Sequence, residues 1–281
     1  MLQPNTVKRT IPALKKMKKK GEKIAALTAY DFPTAQLLSN AGIDIILVGD
    51  SLGMVVQGQK NTLAVSLDDI VYHTGLVTRA EPASLVVSDM PYGSYHVSKE
   101  LTVQNALRCV KEGGAEAVKV EGGSKRFPMI EALLEAEIPV MGHLGLTPQS
   151  VHTLGGFKVQ GKLKQDALQL IDDALELELL GVFSIILESI PMELAKEVTE
   201  RVSIPTIGIG AGVHCDGQIL VFHDLMGYST GYLPKFVRKY ADINTVVGDA
   251  VQHYIQDIQK LEFPGTAESY HLKKDISELL K

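Results

Sequence analysis

The stretch IDIILVGDSLG, residues 43–53, decides how the rest of the sequence is interpreted. Its uninterrupted apolar run from Ile45 to Val48 is typical of a β-strand that is buried on both faces. The run stops at a glycine, and Asp50 and Ser51 follow. A carboxylate at the end of a buried strand either caps the next helix or belongs to a site. The choice depends on whether other strands end in the same way.

The same strand pattern recurs from Ile24 onward, with an amphipathic helix after most strands. Further apolar runs that predict strands are IAALTAY (24–30), SLVVSD (84–89), AEAVKVE (115–121), IPVMGHLGL (138–146), SIILES (184–189) and IPTIGIG (204–210). Strands that are apolar on both faces and separated by helices are typical of a parallel sheet. Because no linker interrupts the repeat, the sequence predicts a single (β/α)8 TIM barrel over residues 1–281, with a short N-terminal helix and a C-terminal extension.

An open, doubly wound sheet is the alternative α/β architecture. Such a sheet should carry a glycine-rich GxGxxG turn after its first strand. The segment LTAYDFP, residues 27–33, has no glycine, and the late GIGAGV at 208–213 has a different glycine order. The barrel is therefore favoured.

Composition restricts the class of protein. Apolar residues make up 45% of the 281, and the formal charge is -5, which argues against a nucleic-acid partner. The N-terminus has no apolar stretch of signal-peptide length, and no segment is apolar for long enough to cross a bilayer, so no membrane association is expected. With only Cys109 and Cys215, the chain has no disulfide framework, and a cytoplasmic location is expected.

The basic run KKMKKK, residues 15–20, has two interpretations. One is a patch for nucleic acid or phosphate. The other is the last turn of a short helix that Thr10 caps and Gly21 ends, where lysines face the negative end of the helix dipole. The helix is the favoured interpretation.

Ionisable side chains end several of the predicted strands. They are Asp50 (with Ser51), Asp89, the pair Lys119 and Glu121, His143, and Glu188. In a parallel barrel the carboxyl ends of the strands share one face, which is where barrel active sites are built. Taken singly, an Asp or Ser can be a helix cap, and a lone His is more often a core residue. Acids at four strand ends, with a lysine near one of them, are hard to explain by capping alone.

The residue types indicate metal-assisted chemistry. Asp50, Asp89 and Glu121 are hard oxygen donors, which suit Mg²⁺. The segment HCD at 214–216 is a much weaker candidate for zinc.

Lys119 and Glu121 lie two residues apart on one predicted strand, so their side chains point to the same face. Lys119 is thus placed to meet an anionic substrate. Glu188 comes from another strand and is a candidate general base. A metal and a base together predict enolisation of a 2-keto acid.

The sequence resembles one family over residues 6–270. The motifs that carry the likeness are TAYD (28–31), LVGDSLGMVVQG (47–58), VKVEGG (118–123), GHLGLTPQSV (142–151), GGFKVQG (155–161), IGIGAG (207–212), DGQILVFHD (216–224), LPKFV (233–237) and FPG (263–265). They are similar to those of the 3-methyl-2-oxobutanoate (ketopantoate) hydroxymethyltransferases. GDSLGM and GHLGLTPQ are specific to that family rather than to barrels in general.

The resemblance implies a barrel of the phosphoenolpyruvate mutase and isocitrate lyase superfamily. It implies transfer of a hydroxymethyl group from 5,10-methylenetetrahydrofolate to 3-methyl-2-oxobutanoate, which gives 2-dehydropantoate on the route to pantothenate and coenzyme A. It also implies a homo-oligomer, commonly a decamer.

The family's functional residues match positions of this sequence. The metal-binding acids correspond to Asp50, Asp89 and Glu121, and the proton acceptor corresponds to Glu188. The substrate contacts correspond to Asp50, Ser51, Asp89 and Lys119, with His143 as a pocket histidine.

Two segments and two rival functions stay open. The loop 147–162 is either a lid over the second substrate or an ordered structural excursion, and residues 271–281 extend past the shared pattern.

One rival is a carbon–carbon lyase or mutase of the same superfamily. Those enzymes usually carry a cysteine in a KKCGH-like loop, which is absent here. The other rival is a barrel that binds a keto acid without turnover, and the intact set of acids argues against it.

Overall fold

The computed structural model describes residues 7–229, 231, 233–273 and 276–280. In this part of the chain eight parallel strands close into a barrel in sequence order, and the last strand pairs with the first. The strands are β1 (Ile24–Thr28), β2 (Ile45–Val48), β3 (Leu85–Asp89), β4 (Ala117–Glu121), β5 (Val140–Gly145), β6 (Ser184–Glu188), β7 (Thr206–Ile209) and β8 (Gly217–Leu220). The predicted barrel is confirmed.

Helices lie between the strands and beyond both ends of the barrel. They are α1 (Ile11–Lys20), α2 (Phe32–Ala41), α3 (Leu52–Val55), α4 (Leu67–Thr78), α5 (Lys99–Lys111), α6 (Phe127–Glu135), α7 (Val151–Leu154), α8 (Lys164–Leu180), α9 (Met192–Arg201), α10 (Phe222–Leu225), α11 (Ile243–Gln259) and α12 (Ile276–Leu279). In the part of the chain described, no helix is both long and apolar enough to span a membrane.

Strand β2 shows why the apolar runs are continuous. Ile45 and Leu47 pack inside the barrel, whereas Ile46 and Val48 pack outward, under helix α2. Successive side chains of a strand point to opposite faces, so a strand with apolar neighbours on both sides needs apolar residues at every position.

Helix α1 closes the N-terminal end of the barrel. Thr10 caps it, Gly21 ends it in a left-handed conformation, and Leu14 and Met17 insert into the inner apolar cluster. Lys18 pairs with Asp216 at 2.8 Å. The helical interpretation of the basic run is confirmed.

The long loop after β5 is helical in its first half. A 3-10 turn at Pro148–Ser150 leads into α7, and the Gln160 backbone N–H donates to the Ser189 carbonyl at 2.9 Å. The loop therefore lies against the end of β6, at the mouth of the barrel.

Helix α11 is 17 residues long, yet none of its residues is buried. Its apolar side chains form one stripe, at Val247, Val251, Tyr254, Ile255 and Ile258, which are between 43% and 52% exposed. An amphipathic helix normally buries such a stripe. Residues 274, 275 and 281 of the C-terminal extension lie outside the described residues.

Candidate active site

The pairing register of the barrel brings the predicted site residues side by side. Asp89 on β3 is level with Lys119 on β4, and Glu121 is level with His143 on β5. Glu188 ends β6, level with the last residue of β5. Level residues on adjacent strands are direct neighbours. The strand endings thus form one continuous arc at the C-terminal mouth.

Lys119 lies at the centre of this arc and is buried. Its ammonium is 2.7 Å from Asp89 Oδ1 and 3.1 Å from Glu121 Oε1. Burial alone lowers the pKa of Lys119, but the surrounding carboxylates, Asp89 and Glu121 foremost, raise it well above the usual range. The carboxylates around Lys119 therefore favour its protonated, cationic form.

Gln149 connects three strand ends and is itself buried. Its side-chain amide donates to Asp50 Oδ2 and to the Met90 carbonyl, both at 3.0 Å. Its backbone N–H donates to Glu121 Oε2 at 3.1 Å, and its Oε1 accepts from the Tyr95 hydroxyl at 2.6 Å. Gln149 thus holds two of the site's carboxylates, Asp50 through its side chain and Glu121 through its backbone.

His143 lies between two carboxylates. Its Nδ1 is 3.3 Å from Glu121 Oε1, and its Nε2 is 3.2 Å from Glu188 Oε2. Neither contact has the angles of a hydrogen bond, so both are electrostatic contacts. Burial lowers the pKa of His143, but the two carboxylates outweigh it and raise the pKa to about 9. The imidazolium links Glu121 to Glu188.

Helix capping does not explain these acids. Asp31 is a true cap, because its carboxylate accepts from the Thr34 N–H at the start of α2. Asp89 instead accepts from the Asp50 N–H at 3.0 Å. Ser51 precedes α3 but makes no capping bond with its side chain, and its hydroxyl is 2.8 Å from the Tyr30 hydroxyl. Both strand endings therefore face the mouth.

The donor set fits Mg²⁺. Among the residues described, four acids (Asp50, Asp89, Glu121 and Glu188) share two neighbouring cations, Lys119 and His143, so negative charge is in excess.

The excess of charge is felt most at Asp50. Burial, followed by repulsion from Asp89 and Glu121, raises the pKa of Asp50 well above its usual value. Carboxylate oxygens that no neighbouring cation neutralises are the ligands that a hard divalent cation prefers.

Asp50 and Asp89 are the two acids that lie directly together, because the Asp89 carboxylate accepts from the Asp50 N–H at 3.0 Å. Among the residues described, no three His, Cys, Asp or Glu side chains are spaced to hold a metal ion together. Mg²⁺ usually needs only one or two carboxylates, with water and substrate completing its shell. Glu121 already accepts from Lys119 and Gln149 and contacts His143.

The zinc candidate, residues 214–216, lies at the N-terminal end of the barrel (the barrel floor), where Asp216 forms a structural ion pair. Asp216 binds Lys18 and accepts from the Thr206 N–H at 2.9 Å. Cys109 and Cys215 are both buried, and neither lines the mouth.

Sequence reasoning missed Gln149 and Tyr95. Gln149 lies within the quoted motif GHLGLTPQSV, so its position was visible but its contacts were not. Tyr95 lies 54 residues away from Gln149 in the chain, and nothing in the sequence paired them.

The fold and the charged mouth define a (β/α)8 barrel of the kind in which enzymes build their active sites. A solved phosphonopyruvate hydrolase, in complex with oxalate and Mg²⁺, is similar in fold at a TM-score of 0.60 and 11% identity, over 96% of this chain and 94% of that one. A 2,3-dimethylmalate lyase, described as a member of the phosphoenolpyruvate mutase and isocitrate lyase superfamily, matches at a TM-score of 0.54 and 15% identity, over 98% of this chain and 91% of that one.

Sequence comparison is more specific. The profile of the ketopantoate hydroxymethyltransferase family matches residues 8–266. The 3-methyl-2-oxobutanoate hydroxymethyltransferase of Thermoanaerobacter sp. (strain X514) is 56% identical over 93% of this chain and 95% of its own length. That of Clostridioides difficile (strain 630) is 50% identical over 98% and 100%. The chain belongs to the ketopantoate hydroxymethyltransferase family.

Family membership decides between the rival functions. The chain is a hydroxymethyltransferase, because its close relatives carry that name over nearly the full length. The lyase or mutase reading and the non-catalytic barrel are thereby set aside.

Proposed function

We propose that this enzyme transfers a hydroxymethyl group from 5,10-methylenetetrahydrofolate to 3-methyl-2-oxobutanoate, with Mg²⁺ bound, to form 2-dehydropantoate. This is the first committed step of pantothenate and coenzyme A synthesis. The observation that carries the proposal is the arc of buried charge from Asp50 and Asp89, through Lys119 and His143, to Glu188.

The keto acid is proposed to bind against Lys119. The substrate carboxylate needs a cation, and the Lys119 ammonium is buried next to Asp89 at 2.7 Å. A buried cation binds an anion more strongly than an exposed one, because the local dielectric is low. Ser51 and Asp50 line the same end of β2 and complete the proposed contacts, and His143 limits the pocket on the side of Glu188.

Glu188 is proposed as the base that removes the proton from C3 of the keto acid. Its side chain is 15% exposed, and its Oε2 lies beside the imidazole of His143. A bond forms between C3 and the one-carbon unit, and both bonds of that carbon to the folate nitrogens break. Water supplies the hydroxyl group, and its other proton and the proton taken from C3 go to the two nitrogens of the departing tetrahydrofolate. Asp50 and Asp89 would hold Mg²⁺, while Glu121 stays engaged by Lys119 and Gln149. The bound ion would supply positive charge to the substrate oxygens.

The direct test is a reconstituted assay. The protein is mixed with 3-methyl-2-oxobutanoate, methylenetetrahydrofolate and Mg²⁺, and 2-dehydropantoate is measured with each component left out in turn. Exhaustive chelation should abolish turnover, and added Mg²⁺ should restore it. Full activity after chelation would contradict the proposed role of the acids.

The proposal extends to assembly and location. We propose a homo-oligomer, commonly a decamer in the family, in which a second copy covers the apolar stripe of α11. Exposed apolar patches on a helix usually mark an interaction surface. Sedimentation compares Ile255→Glu, on the stripe, with Gln256→Glu, on the opposite face of α11, and only the first should lower the mass of the assembly. An unchanged mass in both variants would contradict the proposal.

Two free, buried cysteines are compatible with the expected cytoplasmic location.

A further inference from the structure

A cavity of about 250 Å³ opens beside Glu121, on the outer side of the charged arc. It lies between the turn after β4, residues 122–126, and the start of the loop 147–162. Glu121 and Gln149 line both this cavity and the keto-acid centre. A molecule in the cavity therefore lies next to the reacting centre but outside the ring of strands.

Two adjacent glycines shape the cavity wall. Gly122 has a φ of +113°, and a Cβ there would lie 3.1 Å from Arg126 Cγ. A Cβ on Gly123 would overlap the Asp173 carboxylate. The glycines of VKVEGG therefore let the side chains of Arg126 and Asp173 lie directly on the backbone of the turn.

Arg126 is a cation without an acidic partner among the residues described. Its guanidinium carbon lies 5.8 Å from the centre of the Tyr95 ring, and its side chain makes no ion pair there. The neighbouring Lys125 is exposed and also has none. Burial and then the charge of Arg126 lower the pKa of His96, which also lines the cavity, to about 4.

The acids on the cavity wall already have hydrogen-bond or ion-pair partners. Asp173 Oδ1 accepts from the Ser124 N–H at 3.2 Å and from Gln169 Nε2 at 3.0 Å. Glu121 is engaged by Lys119 and Gln149. Lys119 balances Glu121, and the two cations Lys125 and Arg126 outnumber the remaining acid of the lining, Asp173. The lining therefore carries net positive charge, which suits an anionic ligand.

We propose that this cavity binds the glutamate end of the folate donor, with Arg126 contacting a carboxylate. The assignment rests on the proposed function, which requires a folate next to the keto acid. The keto acid already has Lys119 in the interior, so a second cationic pocket at the rim needs a second anionic substrate. The exposed side of the cavity at Ser124 and Lys125 leaves room for further glutamates.

The test compares donors with and without the glutamate. Methylene donors made from tetrahydrofolate and from tetrahydropteroate are assayed with the parent, Arg126→Gln and Arg126→Lys. A charge-assisted contact predicts that the parent prefers the folate in kcat/KM and that Arg126→Gln lowers this preference by about tenfold to a hundredfold. Arg126→Lys should keep part of it.

The matched control is Arg79→Gln, which removes an exposed arginine at the end of α4, away from the mouth. It should retain the parent's preference.

Several outcomes would overturn the assignment. One is a parent that uses both donors equally, and another is an unchanged preference in Arg126→Gln. An equal fall with both donors would show that Arg126 supports the centre rather than the glutamate.

Exchange of the C3 proton of the keto acid in D₂O, which needs no folate, separates this from the proposed function. A parent that neither exchanges the proton nor makes product contradicts the function itself. A parent that does both, with no role for Arg126 in donor choice, contradicts only the pocket.

Discussion

The two ends of the barrel are built from the same strands but solve opposite problems. At the N-terminal end, α1 inserts Leu14 and Met17, and the Lys18–Asp216 pair is completed by bonds to the Thr199 carbonyl and to Thr206. At the mouth, Asp89 Oδ1 and both ring nitrogens of His143 are buried without a hydrogen bond of good geometry.

The difference indicates where the protein retains unsatisfied charge. Burying a charge without full compensation costs free energy. A fold selected only for stability would therefore give the charged groups at the mouth the same hydrogen-bond partners that it gives those at the N-terminal end. Incomplete polar groups persist at sites that a ligand completes. Substitutions at the two ends should therefore affect different quantities.

Glu188→Gln should have the largest effect on catalysis. It keeps the shape of the side chain but removes the base, and loss of a general base typically lowers rates by about 10²–10⁴. The loss should appear equally in C3 deuterium exchange and in product formation, both measured by NMR.

Glu193→Gln, an exposed acid at the start of α9, is the control for Glu188. If Glu188→Gln exchanged the proton at the parent rate and failed only in product formation, Glu188 would serve the folate step instead.

Leu14→Ala should lower the free energy of unfolding through the N-terminal end of the barrel, without changing the chemistry at the mouth. Leu14 is fully buried, and such truncations cost about 2–5 kcal/mol of unfolding free energy. Urea denaturation measures the loss, while C3 exchange per folded molecule should stay at the parent value. A fall in exchange under native conditions would show that the two ends are not independent.

Lys119→Ala should weaken keto-acid binding. Removal of a charge-assisted contact worth about 1.5–3 kcal/mol corresponds to about tenfold to a hundredfold in affinity. Isothermal titration with 3-methyl-2-oxobutanoate measures it, and Lys99→Ala, which removes an exposed ion pair with Glu131, is the control. Unchanged affinity would make Lys119 a structural residue.

Gln149→Leu should have a smaller effect, through Asp50. Without the amide, the Asp50 carboxylate loses the bond that fixes its orientation. Loss of such a supporting bond typically costs about 10-fold to 100-fold in metal affinity, which Mn²⁺ titration by EPR measures. Tyr95→Phe, which removes only the hydroxyl bonded to Gln149, should lose less. Equal Mn²⁺ affinity in the parent and Gln149→Leu would show that Asp50 needs no such support.

Much of the fold and of the site could be predicted because both depend on local pattern. The continuous apolar runs, as in Ile45–Val48, indicate buried parallel strands, and closure then places every strand ending at one face. Asp50, Asp89, Lys119 and Glu121 were found in this way. The bridging position of His143 could not be found, because it depends on the register between β4, β5 and β6.

The sequence by itself determined the barrel, the N-terminal helix and the identity of the acids at the mouth, because each follows from residues close together in the chain. Only the tertiary structure decided which groups meet. Tyr95 with Gln149, 54 residues apart, and Lys18 with Asp216, 198 apart, are joined by the packing of distant segments. The apolar face of α11 was left exposed by the same packing. Contacts across such separations depend on how the whole chain closes, and no local pattern encodes them.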